Sequence, residues 1–393
     1  MRRALAVIWI CSFASALVSR TTDPVVVQIA ADLDVEVRSA ALLAAAFALP
    51  WALAQPFLGP AGDFLGKTRV ISVGLVVLAA SCFWGGVAAD FRSLFASRMA
   101  AGIAAAAVSP VAFALAADLL APQDRHIGVS RVLFASIFGG LVGAVGAGFL
   151  GDVMGWRGVL IVGGFAVLAA AVAAALGFRG VVERRAGAPG IAAAITNYRT
   201  IFANPRAKVC YAAVFFEGIV VHGVMPYVAP LLAEAGELRT TIAGLVIAGF
   251  AVGGAAYASA VGPLIARFGA RRLMIGGGTI AAAAMVGVGL TPPWPLLALA
   301  IGALGFGFFM LHNGIQVQML ELAPHARGSA VSVHAFSLFM GQAVGPLVYG
   351  FSLPAIGTLA TASIGGAIML AVGILCARYL HGPPARGLKA PAA

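Results

Sequence analysis

The chain has 393 residues, of which 61% are hydrophobic and only 10% charged, with a net charge of +11. That leaves too few polar residues to coat a soluble protein of this length. The apolar runs are continuous rather than alternating and about 20 residues long, so they select membrane-spanning helices over a barrel and an all-α integral membrane fold over any other class.

Twelve spans are predicted, at 4–30, 38–60, 69–89, 93–120, 127–153, 157–178, 208–233, 240–263, 271–290, 294–321, 326–350 and 354–380. The first follows Met1-Arg2-Arg3; it has no clear signal-cleavage site and reads as a retained helix. It carries Arg20 and Asp23, an i, i+3 pair on one helix face, beside Thr22 and just before the helix-weakening Pro24. Either the pair is a substrate or proton site or it is a static ion pair at the interface. Between the second and third spans lies GDFLGKTRV, where Asp63, Lys67 and Arg69 interrupt the apolar sequence. Arg98 opens the fourth span, where snorkelling to the interface is the alternative to a buried role. Asp118 closes that span, and Arg125 follows within reach as a partner.

The longest polar stretch, 179–207, divides the spans into two sets of six. The expected domains are therefore 1–180, a linker at 181–207, and 208–393. In the seventh span Glu217 has no basic residue within a turn. Ionisable groups at membrane depth are costly and mark pathways or proton relays, so Glu217 is the leading proton-coupling candidate. His222 lies five residues on, in HGVMPY with Tyr227, and faces a different direction from Glu217. His312, Asn313 and Gln316 form a polar stripe in the tenth span, suited to substrate contact or to helix–helix packing. Glu321 ends that span near Arg327, and His334 in the eleventh reads as isolated and structural. The four cysteines show no pairing pattern and read as small core residues.

Of the 25 Lys and Arg, Arg38, Arg92, Arg157 and Arg239 fall on one side, Arg20 and Arg98 fall within spans, and the rest fall on the side of the N-terminus. The positive-inside rule makes that side, with both termini, cytoplasmic. It also accounts for the charge without a nucleic-acid partner. The two halves repeat: a shift of 203 residues lays GPAGDFLGKTRVI (Gly59–Ile71) on GPLIARFGARRLM (Gly262–Met274). A shift of 202 lays Pro122, Arg125 and Gly143 on Pro324, Arg327 and Gly345. Paired six-helix halves are an architecture of secondary transporters, with the substrate site between them near the midplane.

Gly59-x-x-x-Asp63-x-x-Gly66-Lys67-x-Arg69 resembles the loop 2–3 signature of the major facilitator superfamily. Twelve spans, a basic central loop and the faded second copy, with Ala266 at the Asp position, fit as well. Within the superfamily the chain looks most like the twelve-span drug:H⁺ antiporter branch of bacterial efflux permeases. SRTTDP (19–24), FFEG (215–218) and MLHNGIQ (310–316) look like segments of that branch. Arg98-x-x-x-Gly102 resembles its helix 4 motif, with Ala101 where a Gln is usual. The Gly-Pro motif of helix 5 is incomplete at Gly143-Ala144 and intact in helix 11 at Gly345-Pro346.

The resemblance implies a fold of two pseudo-symmetric six-helix bundles in a bacterial inner membrane. It implies a non-enzymatic carrier of small amphiphilic molecules, coupled to protons and expected to act as a monomer without a cofactor. Arg98 would tune a proton site in the cavity. Asp63 would face a helix N-terminus or an Arg across the bundle, forming a clasp with Gly59 and Gly66 that holds the cytoplasmic side closed. Phe215, Phe216, Phe306, Phe308 and Phe309 cluster near the polar positions, as suits an apolar cavity. A proton-coupled importer or facilitator of a metabolite or metal ion is the alternative, although no MxxxM or HxxxM occurs in the seventh or eighth span. A membrane enzyme or sensor is a remote third reading, since no nucleophile–base pair or phosphate loop is visible.

Overall fold

The computed structural model describes residues 2–120, 125–181, 191–322 and 327–380; the side chains of Arg2, Gly59, Pro60, Asp63, Val129, Leu322, Arg327 and residues 125–127, 191–195 and 197 lie outside it. The helices are α1 (Arg2–Ser19), α2 (Val26–Asp32), α3 (Val37–Leu65), α4 (Lys67–Gly86), α5 (Phe91–Leu119) and α6 (Arg125–Gly177). They continue as α7 (Ile191–Ala203), α8 (Pro205–Glu217), α9 (Val228–Glu234), α10 (Thr240–Gly289), α11 (Trp294–Leu322), α12 (Arg327–Ile356) and α13 (Thr358–Tyr379). Among the described residues nine segments are long and apolar enough to cross a membrane. Two of these turn back at Gly155 and Gly269 and so cross twice. With α1 and its extension α2, twelve crossings result.

Several expected loops shrink to one residue. Leu65 ends α3 and Lys67 begins α4, with Gly66 alone between them at φ 94°. Gly269 makes the corresponding turn in the second half at φ 74°. Gly155 and Gly357 form a second such pair, at φ 68° and 81°. Each pair matches the repeat read from the sequence, and the backbone at each is one only glycine adopts readily. The eleventh span therefore runs to Ile356 rather than 350. The linker contains a helix, α7, and the seventh span starts early at Pro205, capped by the Asn204 side chain accepting from the Arg206 N–H at 3.0 Å. The first span breaks sooner than expected: α1 stops at Ser19, where the Thr21 hydroxyl donates to the Val18 carbonyl at 2.9 Å.

Small residues bring backbones together within each half. A Cβ on Gly143 would lie 2.2 Å from the Leu17 carbonyl oxygen in α1. Its repeat partner Gly345 would meet Gly223 Cα at 2.5 Å. The glycine of the Gly-Pro motif, incomplete in the first half and intact in the second, is thus a packing contact in both halves.

The halves touch through α3 with α12 and α6 with α10. Trp51 stacks on Phe339 at 4.3 Å. Closer to the face opposite the termini, Arg38 and Tyr227 pack near Gly350, and Gly148 faces Gly244 with almost no space between backbones. Asp152, at the end of the first limb of α6, caps the first turn of α10. Its Oδ1 accepts from the Thr240 N–H and Oγ1–H at 2.8 Å each, and its Oδ2 accepts from the Thr241 N–H at 2.9 Å. These contacts seal the protein on the face away from its termini.

On that same face Asp32 accepts from the Trp156 indole at 3.1 Å and pairs with Arg157. The guanidinium and the indole hold its carboxyl below the usual carboxylate range. A depressed folded value means that the pair stabilises above the unfolded pKa of about 3.9 and ceases to do so as pH falls through the folded value. Asp32→Asn is accordingly expected to lower the melting temperature of detergent-solubilised protein at pH 7, with the gap to wild type closing below about pH 4. A gap unchanged in acid would refute the pairing.

Candidate functional site

Three clusters of polar side chains lie inside the bundle. The first is where α1 ends. Arg20 Nη1 donates to Asp23 Oδ2 at 3.3 Å, across a turn rather than along a helix face as the i, i+3 spacing suggests. Asp23 is only 2% exposed, and Arg98 from α5 is equally buried. The Arg98 guanidinium donates to the Val18 carbonyl at 3.4–3.5 Å and sits 4.7 Å above the Phe47 ring. It does not snorkel. The Val18 carbonyl, which also accepts from Thr21, and an aromatic face receive the charge there, an inexpensive alternative to lipid.

The second cluster joins α8, α11 and α12. Glu217 is fully buried, and its Oε2 lies 2.7 Å from His312 Nδ1. His312 Nε2 in turn lies 3.2 Å from His334 Nε2. Glu217 is therefore paired, contrary to the expectation from its own helix, and His334 is not isolated. An ionised Glu217 accepts from His312 Nδ1–H, which leaves Nε2 to accept from His334 Nε2–H. Among the described residues Glu217 Oε1 and His334 Nδ1 have no hydrogen-bond partner. A proton added to this chain has three adjacent groups to occupy.

The polar stripe of the tenth span divides. His312 turns toward Glu217, Asn313 donates to the Tyr257 hydroxyl at 3.0 Å on α10, and Gln316 is exposed. The third cluster follows from a break in the seventh span, where the α-helix gives way to a π-turn at Gly218–His222 and a 3₁₀ turn at Met225–Tyr227. Such bulges re-aim side chains and are frequent at functional sites. His222 is 8% exposed, stands edge-on to Phe250 and Phe308, and leaves Nδ1 unpartnered. Tyr227 is placed elsewhere: its hydroxyl donates to the Pro346 carbonyl at 2.7 Å, and it lines a separate recess with Arg38 and Glu234.

Between the halves lies a cavity of about 290 Å³. Ser19, Arg20, Ser136 and His222 supply its polar wall, and Phe250, Phe309 and Phe339 part of its apolar wall. A larger groove of about 600 Å³ along α6, α10 and α11 is lined by apolar residues and glycines alone and offers no recognition chemistry.

At the terminal face, Lys67 pairs with Asp118 at 2.9 Å, so Asp118 meets the loop motif of the neighbouring helix; the Arg125 side chain expected as its partner lies outside the described residues. Glu321 accepts from the Gln318 side chain at 3.0 Å. Arg69 is exposed. The side chains of Gly59, Asp63, Arg125 and Arg327 lie outside the described residues, and with them the expected Asp63 clasp and Glu321–Arg327 pair.

A family model described as Major Facilitator Superfamily matches residues 8–239 and 210–393. The chain is 24% identical over 397 residues to the uncharacterized MFS-type transporter YfhI of Bacillus subtilis, covering 95% of this chain and 93% of that one. It is 33% identical over 109 residues to the quinolone resistance protein NorA of Staphylococcus aureus, a match spanning 28% of this chain and 26% of the relative. A crystal structure of a POT family transporter in complex with 5-aminolevulinic acid superposes with a TM-score of 0.80 at 12% identity, covering 97% of both chains. That likeness concerns the fold.

Proposed function

Because the chain belongs to the Major Facilitator Superfamily, a family of membrane transporters and not enzymes, we propose that it is a secondary carrier working by alternating access, exporting small amphiphilic molecules in exchange for protons. The observation that carries the coupling is the buried chain Glu217–His312–His334, three titratable groups in hydrogen-bond contact, with His312 stacked on Phe308, which also packs on the cavity-lining His222. Ionisable groups buried at membrane depth are costly and mark substrate pathways or proton relays. Efflux draws support from the partial similarity to the quinolone resistance protein.

In this reading Glu217 holds the coupled proton, His312 and His334 extend its path, and Arg20, Asp23 and Arg98 set the charge of the cavity. The face bearing the termini is cytoplasmic in a bacterial inner membrane, as the distribution of Lys and Arg supports. The Gly59–Arg69 motif gates that face, and the Lys67–Asp118 pair ties its two helices together. The halves, 1–180 and 208–393, rock about the cavity as one monomeric carrier.

Reconstituted vesicles decide the direction. With an acidic lumen, so that protons run outward, inside-out vesicles are expected to accumulate substrate several-fold above equilibrium, and collapsing the gradient with a protonophore abolishes the excess. Accumulation that survives the protonophore refutes proton coupling.

A further inference from the structure

The cavity between the halves carries positive charge that its walls do not neutralise. Its lining includes Arg20 and His222 but neither Asp nor Glu. Behind it, Asp23 is the carboxylate that Arg20 bonds, and the same Asp23 lies within Coulombic reach of Arg98. Two guanidinium groups thus share one carboxylate, and one positive charge is left over. The buried Nε of Arg98 has no hydrogen-bond partner. Arg20 gives Nη1 to Asp23, yet its side chain stays 17% exposed and forms part of the cavity wall.

His222 adds a second, independent observation. It is more than nine-tenths buried, it lines the same cavity, and its Nδ1 is unpartnered. A buried polar atom in that state needs a partner. Ser19 and Ser136 already donate to Ala16 and Val132 of their own helices, so their protons are engaged. The opposite wall, with Phe250, Phe309 and Phe339, is aromatic and apolar.

We propose that this cavity selects organic monoanions. A carboxylate would accept from the Arg20 guanidinium and from His222 Nδ1–H, and an aromatic or aliphatic body would lie against the phenylalanine wall. A guanidinium binds carboxylate strongly, whereas a lipophilic cation of the same shape meets an uncompensated like charge and finds no carboxylate in the cavity lining to offset it. The inference rests on the transporter reading of the cavity and narrows its substrates from amphiphiles in general to acidic ones.

The test uses the full chain purified in a neutral maltoside detergent, with no membrane and no gradient. Three probes of one shape are titrated at pH 7: 1-naphthaleneacetic acid, its primary amide, and 1-naphthylmethylamine. The acid is expected to bind about tenfold or more tightly than either of the others, the scale of a hydrogen bond to a charged group. His222→Leu should weaken the acid about tenfold and the amide by less, because the amide carbonyl accepts more weakly than a carboxylate. Arg20→Gln combined with Asp23→Asn, which leaves no orphaned carboxylate but removes the guanidinium in the cavity wall, should cut the preference for the acid several-fold, to the part that His222 and the more distant Arg98 charge sustain. Equal binding of the three, a preference for the amine, or no binding of the acid at millimolar concentration overturns the proposal. Because no gradient is present, failed proton coupling in vesicles would leave this result standing, and a lost preference for the acid would leave the coupling untouched.

Discussion

Glu217→Gln is expected to abolish uphill transport while leaving binding and exchange intact. Gln keeps the size of the side chain and still offers an oxygen to His312 at the 2.7 Å position, but it cannot take up a proton. Accumulation driven by a pH gradient should fall on the order of 10²-fold, the effect of removing a positioned proton-transferring group. Counterflow exchange, which needs no net proton movement, should stay within about threefold of wild type by the same reasoning. His334→Gln should give a smaller loss in the same direction, because His334 touches the carboxylate only through His312. His312→Leu differs in kind. It leaves Glu217 buried with neither oxygen bonded, and a lost partner of that sort costs about 1–3 kcal/mol of stability or more. Gradient-driven accumulation by the Gln variant at the wild-type rate would remove Glu217 from the coupling path.

Asp152→Ala is expected to loosen the closed face. One carboxylate from the first half caps the helix that starts the eighth span, in the second half, through three hydrogen bonds. Capping bonds of this type contribute about 1–2 kcal/mol, helped by the positive end of the helix dipole. A loss of that size raises the population open on this face by a factor of roughly 5–30. The measurement is the rate at which a membrane-impermeant maleimide modifies a cysteine at Ala243, which is 3% exposed in the closed interface. The four native cysteines are buried and give a low background. The rate should rise by that factor in Asp152→Ala and by less in Asp152→Asn, which keeps one acceptor. An unchanged rate would show that glycine packing alone, Gly148 against Gly244, keeps the face shut.

The fold was largely legible because its signals are local. Run length sets the crossings, and the spacing of Gly59, Gly66 and Arg69 against Gly262, Gly269 and Arg272 exposes the repeat, down to Gly66 and Gly269 sharing one unusual backbone. The buried polar residues stood out singly in the sequence, but their connections did not. Glu217 is 95 residues from His312 and His312 is 22 from His334, and periodicity within a single helix carries no information about partners on another. For that reason Glu217 read as unpaired, His334 as isolated, and His312 as one stripe with Asn313 and Gln316. Tyr227 misled differently: its sequence neighbours suggest a cavity position, but the π-turn at 218–222 rotates the helix beyond it and sends the Tyr227 hydroxyl to Pro346. Asp152 drew no attention because an acidic residue at a span end is ordinary until the helix start facing it is known.

The four turns made by Gly66, Gly155, Gly269 and Gly357 bear on how the protein is made. Each joins two crossings with almost no intervening chain. During synthesis such a pair presents the membrane with one hairpin whose tip is a single glycine. Insertion two helices at a time is the consequence, and a side chain at any of the four tips would be felt first as a defect in biogenesis rather than in transport.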